Sequence, residues 1–466
     1  MSDPLNLPAG HRLVQLSKDL GKPFPPTVQQ ARVIEYPLAP LLVVAGAGSG
    51  KTTTMAMRVA SLVAENQVQP EEVLGLTFTR KATANLDHDI RTLLSRVKST
   101  DVVLPPTIRT YDAFASELAK EYGMRIGANT DAHLITAGQA QQLMQQIVRS
   151  APGDYSLLDL NIQSLAAHAR TLAVEMRNNL LDVDETRTEL LRYSMEVATQ
   201  LAPEKPPRSA NAATRKLAAF AKTNSTSQLA PLIDMGMTMT AEAGNVIISL
   251  ISRYLLLDLI EEYQQRKVEL GVSEFADHTA LAVDIAQLPD VHQALRNRYR
   301  LVLLDEFQDT SVAQLHLLRS LFGNGHAVTA VGDPHQAIYG WRGASAQALA
   351  DFRDTFGGSE PVTQLELTYT FRNAKSILDL ANHTAQPLRE MGTIDVHPLA
   401  VPPSAQDGQT RIAIAPSERE EFETVAHAIT TLWQPHRGET IAVLCRTNQT
   451  LRKVAQLLHD REIPCK

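Results

Sequence analysis

At 466 residues the chain is too long for one ordinary core, so two to four domains are expected. A content of 44% hydrophobic and 20% charged residues excludes a disordered chain, and a formal charge of −7 excludes a global basic field while leaving room for a local basic groove. Cys445 and Cys465 are too few for a disulfide framework or a cysteine-rich metal site, and read as reduced thiols of a cytoplasmic protein.

The first residues lack the basic and apolar regions of a secretory leader, so none is expected. Short apolar runs rich in β-branched residues predict strands at 41–45, 73–79, 107–111, 301–305, 327–332, 365–369, 411–415 and 441–446. They alternate with helical patterns at both ends of the chain. The expected fold class is therefore α/β, with parallel sheet covered on both faces. Between these ends helical spacing dominates, which predicts an inserted all-helical domain broken into two groups by the proline-rich 201–208. The expected division is 1–115 and 284–366 for a first α/β domain, 116–283 for the insert, and 367–466 for part of a second α/β domain. The apolar stretch 246–260 is interrupted by Ser249, Ser252, Arg253, Tyr254 and Asp258, so it reads as a core helix and no membrane is expected. Residues 401–408 read as a surface loop.

Between the strand at 41–45 and the helical pattern that begins at Thr52 lies a glycine-rich turn: Ala45, Gly46, Ala47, Gly48, Ser49, Gly50, Lys51, Thr52, with Thr53 next. Backbone N–H groups of such a turn wrap phosphates at a helix N-terminus. Lys51 would reach the β- and γ-phosphates and the Thr52 hydroxyl would hold Mg²⁺. The strict G-x-x-x-x-G-K-T form fails at Ala45, so a tight turn that happens to contain Gly-Lys-Thr is the alternative. The strand–loop–helix setting weighs against it.

The run at 301–304 delivers Asp305 and Glu306 to a strand end. Asp305 would hold the metal through water, and Glu306 would orient and deprotonate an attacking water. Taken alone the two acids could be a solvated turn. After the next strand, Gln336 could sense the γ-phosphate or that water. Tyr339, Trp341 and Arg342 follow, an aromatic–basic cluster suited to base stacking and phosphate contact. A core Tyr and Trp beside a surface Arg is the competing reading.

In this order the blocks resemble the UvrD/Rep/PcrA-type helicases of superfamily one, and the segments 24–31, 72–82 and 111–115 look most like the AdnB/RecB-like motor subunits of helicase–nucleases. The alanine at position 45 is the usual form there. The resemblance implies a P-loop NTPase of RecA-like architecture, an inserted helical domain and the start of a second RecA-like domain. It implies ATP and Mg²⁺ as cofactors, single-stranded DNA and a second motor or nuclease subunit as partners, and ATP-driven 3′ to 5′ movement in DNA repair or recombination.

By the same resemblance Gln30 would read the adenine edge and Phe371 would pack on the adenine. Arg372 would reach the γ-phosphate; locally it could equally be a solvated surface charge. Thr77, Phe78 and Thr79 would contact single-stranded DNA, although Thr-Phe-Thr is also ordinary strand composition. Thr110 belongs to a further DNA-contacting block, and Arg446 and Asn448 to another, or to an exposed turn after a strand. Asp112 stands where relatives carry a DNA-contacting His, which puts that contact in doubt, because a carboxylate repels phosphate. Thr370 replaces Asn, and His335 replaces an acid or alanine. Nothing after 466 supplies the family's later blocks, so a truncated product or fragment is expected. The alternatives are an ATP- and DNA-binding protein without sustained translocation, and a P-loop ATPase unrelated to nucleic acid.

Overall fold

A computed structural model describes residues 5–97, 104–205, 209–223, 227–340, 347–359, 362–392, 394–433 and 440–465. Among the described residues eight strands form: β1 (Leu41–Ala45), β2 (Val73–Thr77), β3 (Thr107–Thr110), β4 (His133–Leu134), β5 (Val272–Ser273), β6 (Leu301–Leu304), β7 (Val328–Gly332) and β8 (Thr363–Leu367). Six of them make one sheet in the order β3-β2-β6-β7-β1-β8, with every neighbouring pair parallel.

Alternation along the strands sorts side chains onto two faces. Leu41, Val43, Leu301 and Leu303 pack on one side, with α1 (Arg12–Asp19), α2 (Val28–Ile34), α3 (Lys51–Ala64) and α4 (Arg80–Val97). Leu42, Val44, Val302 and Leu304 pack on the other side, beginning with α5 (Tyr111–Tyr122). Because both faces are covered, the central strands read as continuous apolar runs.

The insert holds α6 (Ala137–Ser150), α7 (Ile162–Asn178), α8 (Val183–Leu201), α9 (Ala212–Thr223), α10 (Ala230–Met237) and α11 (Ala241–Glu269). It has two cores, one around Met144, Ala169 and Tyr263 and one around Leu217, Phe220 and Ile251. The 29-residue α11 contributes to both, which explains its apolar length: it is long and apolar enough to cross a membrane, yet it is largely buried among the other helices. The chain enters and leaves the insert through the parallel pairing of β4 with β5, His133 opposite Val272. Next come α12 (Phe275–Ala286), α13 (Pro289–Arg298) and α14 (Val312–Phe322), which join α5 on the second face of the sheet. By packing, then, 116–122 and 275–283 side with the sheet rather than with the expected helical insert, because α5 continues directly from β3 and α12 lies against it.

Residues Met1–Asn373 with Leu380–Ala405 make one compact unit, and Ala374–Asp379 with Gln406–Lys466 a second. In the second, helices Glu418–Leu432 and Asn448–Asp460 pack through Ala426, Ile429, Val454 and Leu458, and Lys453 pairs with Glu418 at 2.9 Å. The strands expected at 411–415 and 441–446 do not form: among the described residues neither segment has a ladder partner, and Ile412, Ile414 and Leu444 are exposed.

Candidate nucleotide-binding site

β1 ends in a turn that restarts as α3 at Lys51. Gly48 and Gly50 take left-handed backbone at φ 77° and 83°, which L side chains resist. A Cβ on Gly48 would also lie 2.5 Å from the Cβ of Arg372. Ser49 folds the turn on itself: its hydroxyl donates to the Gly46 carbonyl at 2.8 Å. Gly50 caps α3 with no side-chain acceptor, so Ala47 to Thr53 present a helix start suited to an anion.

At the head of α3, Lys51 Nζ lies 3.1 Å from Glu306 Oε2, joining segments 255 residues apart. β6 stops because Glu306 turns left-handed, φ 49°. Asp305 is buried at the strand end, its N–H donates to Leu76, and its Oδ1 accepts from the Glu306 N–H at 3.1 Å. Burial, and then the neighbouring Glu306 charge, push the Asp305 carboxyl up to about 6 against the pull of Lys51. Asp309 is pushed up to about 6 by the same two causes. The Tyr111 hydroxyl donates to the Asp305 carbonyl at 3.1 Å, which fixes the strand end from α5.

A chain of hydrogen bonds leads on to β7. Gln308 Nε2 donates to Glu306 at 2.9 Å, its Oε1 accepts from the Asp333 N–H at 3.0 Å, and Gln336 Nε2 donates to Asp333 at 2.7 Å. Gln336 is thus wired to Glu306 through side chains that the sequence reading did not single out. Gln308 stands two residues after Glu306, and that closeness to the acid pair is the signal it offered.

Among the described residues no three His, Cys, Asp or Glu gather into a metal cage. The donor set still fits Mg²⁺, which takes one or two protein oxygens and completes its shell with water and substrate phosphates. Thr52 adjoins Lys51 and Asp305 adjoins Glu306, so the 3.1 Å ion pair brings together the two segments that carry hard oxygen donors.

The remaining expected residues divide. Gln30 sits in the first turn of α2 with both amide atoms engaged: Oε1 accepts from the Thr27 N–H and Nε2 donates to the Ser49 carbonyl, each at 3.0 Å. Its amide braces the glycine turn. Gln29, unremarked in the sequence, clamps Thr368 through both amide atoms at 2.8 and 2.9 Å. The Phe371 N–H donates to the Gly48 carbonyl at 2.9 Å and its ring is 54% exposed, so 370–372 lie on the glycine turn with an aromatic face open.

Phe78 and Tyr339 meet at the carboxyl end of the sheet, ring centroids 4.7 Å apart and half-buried. Thr77 corrects the expectation of a DNA contact: it is fully buried, and its hydroxyl bonds Thr83 at 2.6 Å because β2 is covered on both faces. Thr79 is exposed and accepts from the Ala82 N–H at 3.1 Å at the start of α4, and Thr110 caps α5 by accepting from Ala113 at 3.1 Å. Asp112 accepts from Gln314 at 2.8 Å. Arg446 and Asn448 are exposed on either side of the helix cap Thr447 in the second unit. Trp341 and Arg342 lie outside the described residues.

A parallel sheet, a glycine turn at a helix start, and acids at a neighbouring strand end define a P-loop nucleotide-binding protein. Residues 27–357 match the UvrD/REP helicase N-terminal domain and 365–466 the UvrD-like helicase C-terminal domain, so the chain belongs to the UvrD/REP helicase family. It is 26% identical over 455 residues to the ATP-dependent DNA helicase UvrD1 of Mycobacterium leprae, covering 94% of this chain and 49% of that protein. DNA helicase II of Escherichia coli is 25% identical over 439 residues, 94% of this chain and 50% of that protein. ATP-dependent DNA helicase PcrA of Leuconostoc citreum is 24% identical over 439 residues, 94% and 49%. The chain spans about half the length of these relatives.

Proposed function

We propose that this chain carries the ATP-hydrolysing part of a DNA helicase or translocase that moves 3′ to 5′ on single-stranded DNA in cytoplasmic DNA repair or recombination. The observation that supports it best is the Lys51–Glu306 contact at the head of α3. The triphosphate lies along the glycine turn, and Lys51 exchanges its carboxylate partner for the γ-phosphate. That exchange frees Glu306 to accept a proton from the attacking water, while Gln308 keeps its carboxylate oriented. Thr52, and Asp305 through water, would hold Mg²⁺, which would neutralise charge on the phosphates. Arg372 adds positive charge at the γ-phosphate, Phe371 offers its open face to the base, and Gln30 turns its amide to the adenine edge.

Phe78 and Tyr339 give a single strand a stacking platform, with Thr79, Thr110, Trp341, Arg342, Arg446 and Asn448 as further contacts. A second motor or nuclease subunit, as in the AdnB/RecB-like assemblies, is the partner this reading calls for. ATP hydrolysis by the wild-type chain, with and without single-stranded DNA, tests it. DNA should stimulate turnover, and Lys51→Ala should reduce it to background. Turnover unchanged in Lys51→Ala would remove the phosphate assignment, and a wild type indifferent to DNA would remove the motor.

A further inference from the structure

Among the described residues Arg58 is the largest fully buried side chain, on α3 two turns beyond Lys51. No carboxylate pairs with it among the described residues. Its guanidinium instead donates to backbone carbonyls: Val33 at 2.9 Å, Ile34 at 3.3 Å, Tyr36, and Pro37 at 2.9 Å. Its Nε donates to the Thr329 hydroxyl of β7 at 3.2 Å. Four of these five acceptors are the carboxyl end of α2 and the link into β1; two of them, the Val33 and Pro37 carbonyls, also accept from the backbone N–H groups of Glu35 and Ala39. Burial lowers the guanidinium to about 10, so it remains charged at neutral pH. A buried charge compensated only by dipoles is costly, and a lysine or an apolar side chain of similar length would forfeit several of these bonds, those to the Ile34 and Tyr36 carbonyls among them.

α2 is seven residues long, too short to hold its own position, so its placement comes from the burial of Ala31, Val33 and Ile34, from Gln29 on Thr368, and from what it touches at each end. At the amino end Gln30 bonds the glycine turn; at the carboxyl end Arg58 bonds the last carbonyls from the helix that the same turn begins. We infer that Arg58 is a positioning residue for the nucleotide's base. It holds α2 so that the Gln30 amide stands at the glycine turn, and thereby sets affinity for the base without touching the phosphates. The inference rests on the nucleotide site proposed above.

Calorimetric titration of the full chain with ATP and with inorganic tripolyphosphate separates the two proposals. Wild type that binds neither would end the nucleotide site itself. If wild type binds both, Arg58→Lys should weaken ATP about tenfold, the worth of roughly one hydrogen bond, and leave tripolyphosphate within about twofold. Gln30→Ala should show the same pattern, and the double variant should bind ATP no more weakly than Gln30→Ala alone. Equal losses for both ligands, an ATP affinity unchanged in Arg58→Lys, or additive losses in the double variant would overturn the inference. Should Arg58→Lys melt below the assay temperature, Thr329→Val, which removes one guanidinium acceptor, is judged by the same criteria. Its expected loss is about threefold, for ATP alone.

Discussion

Residues 301–304 read Leu-Val-Leu-Leu and residues 441–444 read Ile-Ala-Val-Leu, near equivalents in composition. The first run is a strand with every residue buried; the second has no regular structure, no ladder partner among the described residues, and leaves Leu444 94% exposed. The difference lies in their neighbours. β6 has β2 on one side, β7 on the other and helices over both faces, whereas 441–446 has no ladder partner among the described residues. A β-branched run expresses a capacity to fill a pleated, covered surface, and it becomes a strand only where the chain supplies that surface.

The contrast can be broken by substitution. Leu303→Ala opens a cavity beneath the sheet and should cost about 2–5 kcal/mol in urea unfolding. A loss below about 1 kcal/mol would mean that the sheet core is not the stabilising element. Asp305→Asn sharpens the contrast from the opposite side, because it removes a charge that the buried strand end disfavours. The folded Asp305 holds its proton up to about pH 6, whereas an unfolded aspartate releases it near 4. The folded state therefore binds more protons across that window, and stability falls as pH rises through it. Asp305→Asn should accordingly be more stable than wild type at pH 7, by on the order of 2 kcal/mol, and equal to it near pH 4. Melting curves at the two pH values decide this, and an advantage of the same size at both would assign the gain to something other than the carboxyl. Leu444→Ala should change stability by less than about 0.5 kcal/mol. A larger loss would show that Leu444, like its neighbours Val443 and Cys445, packs against the core of the second unit.

The same contrast explains what could be read in advance. The glycine turn and the acid pair were legible because their chemistry needs particular residues at fixed local positions, and the sheet order then brings Lys51 to Glu306. The link from Gln308 to Asp333 was not legible, since it joins a side chain to a backbone N–H 25 residues on, across two strand ends. Thr77 was misleading for a related reason: in a strand covered on both faces a polar side chain can point inward, provided it finds an internal partner such as Thr83. The 133–134 and 272–273 pairing was invisible because two residues carry no periodicity. Arg58 did leave a trace, a lone cation in an otherwise apolar helical stretch, and only its five acceptors give that trace a meaning.

Because His133 and Val272 are paired across a parallel ladder, the point where the helical segment departs and the point where it returns are only about 5 Å apart. To the sheet, everything from 135 to 271 is a single long excursion that begins and ends at one address, and closing a longer or shorter excursion changes the entropy only slowly with length. The cargo on that stem carries cores of its own. A change of length within it therefore costs the sheet little closure entropy, as long as Arg170 and Arg177 of α7 keep their pairs with Glu274 and Asp277 at the return.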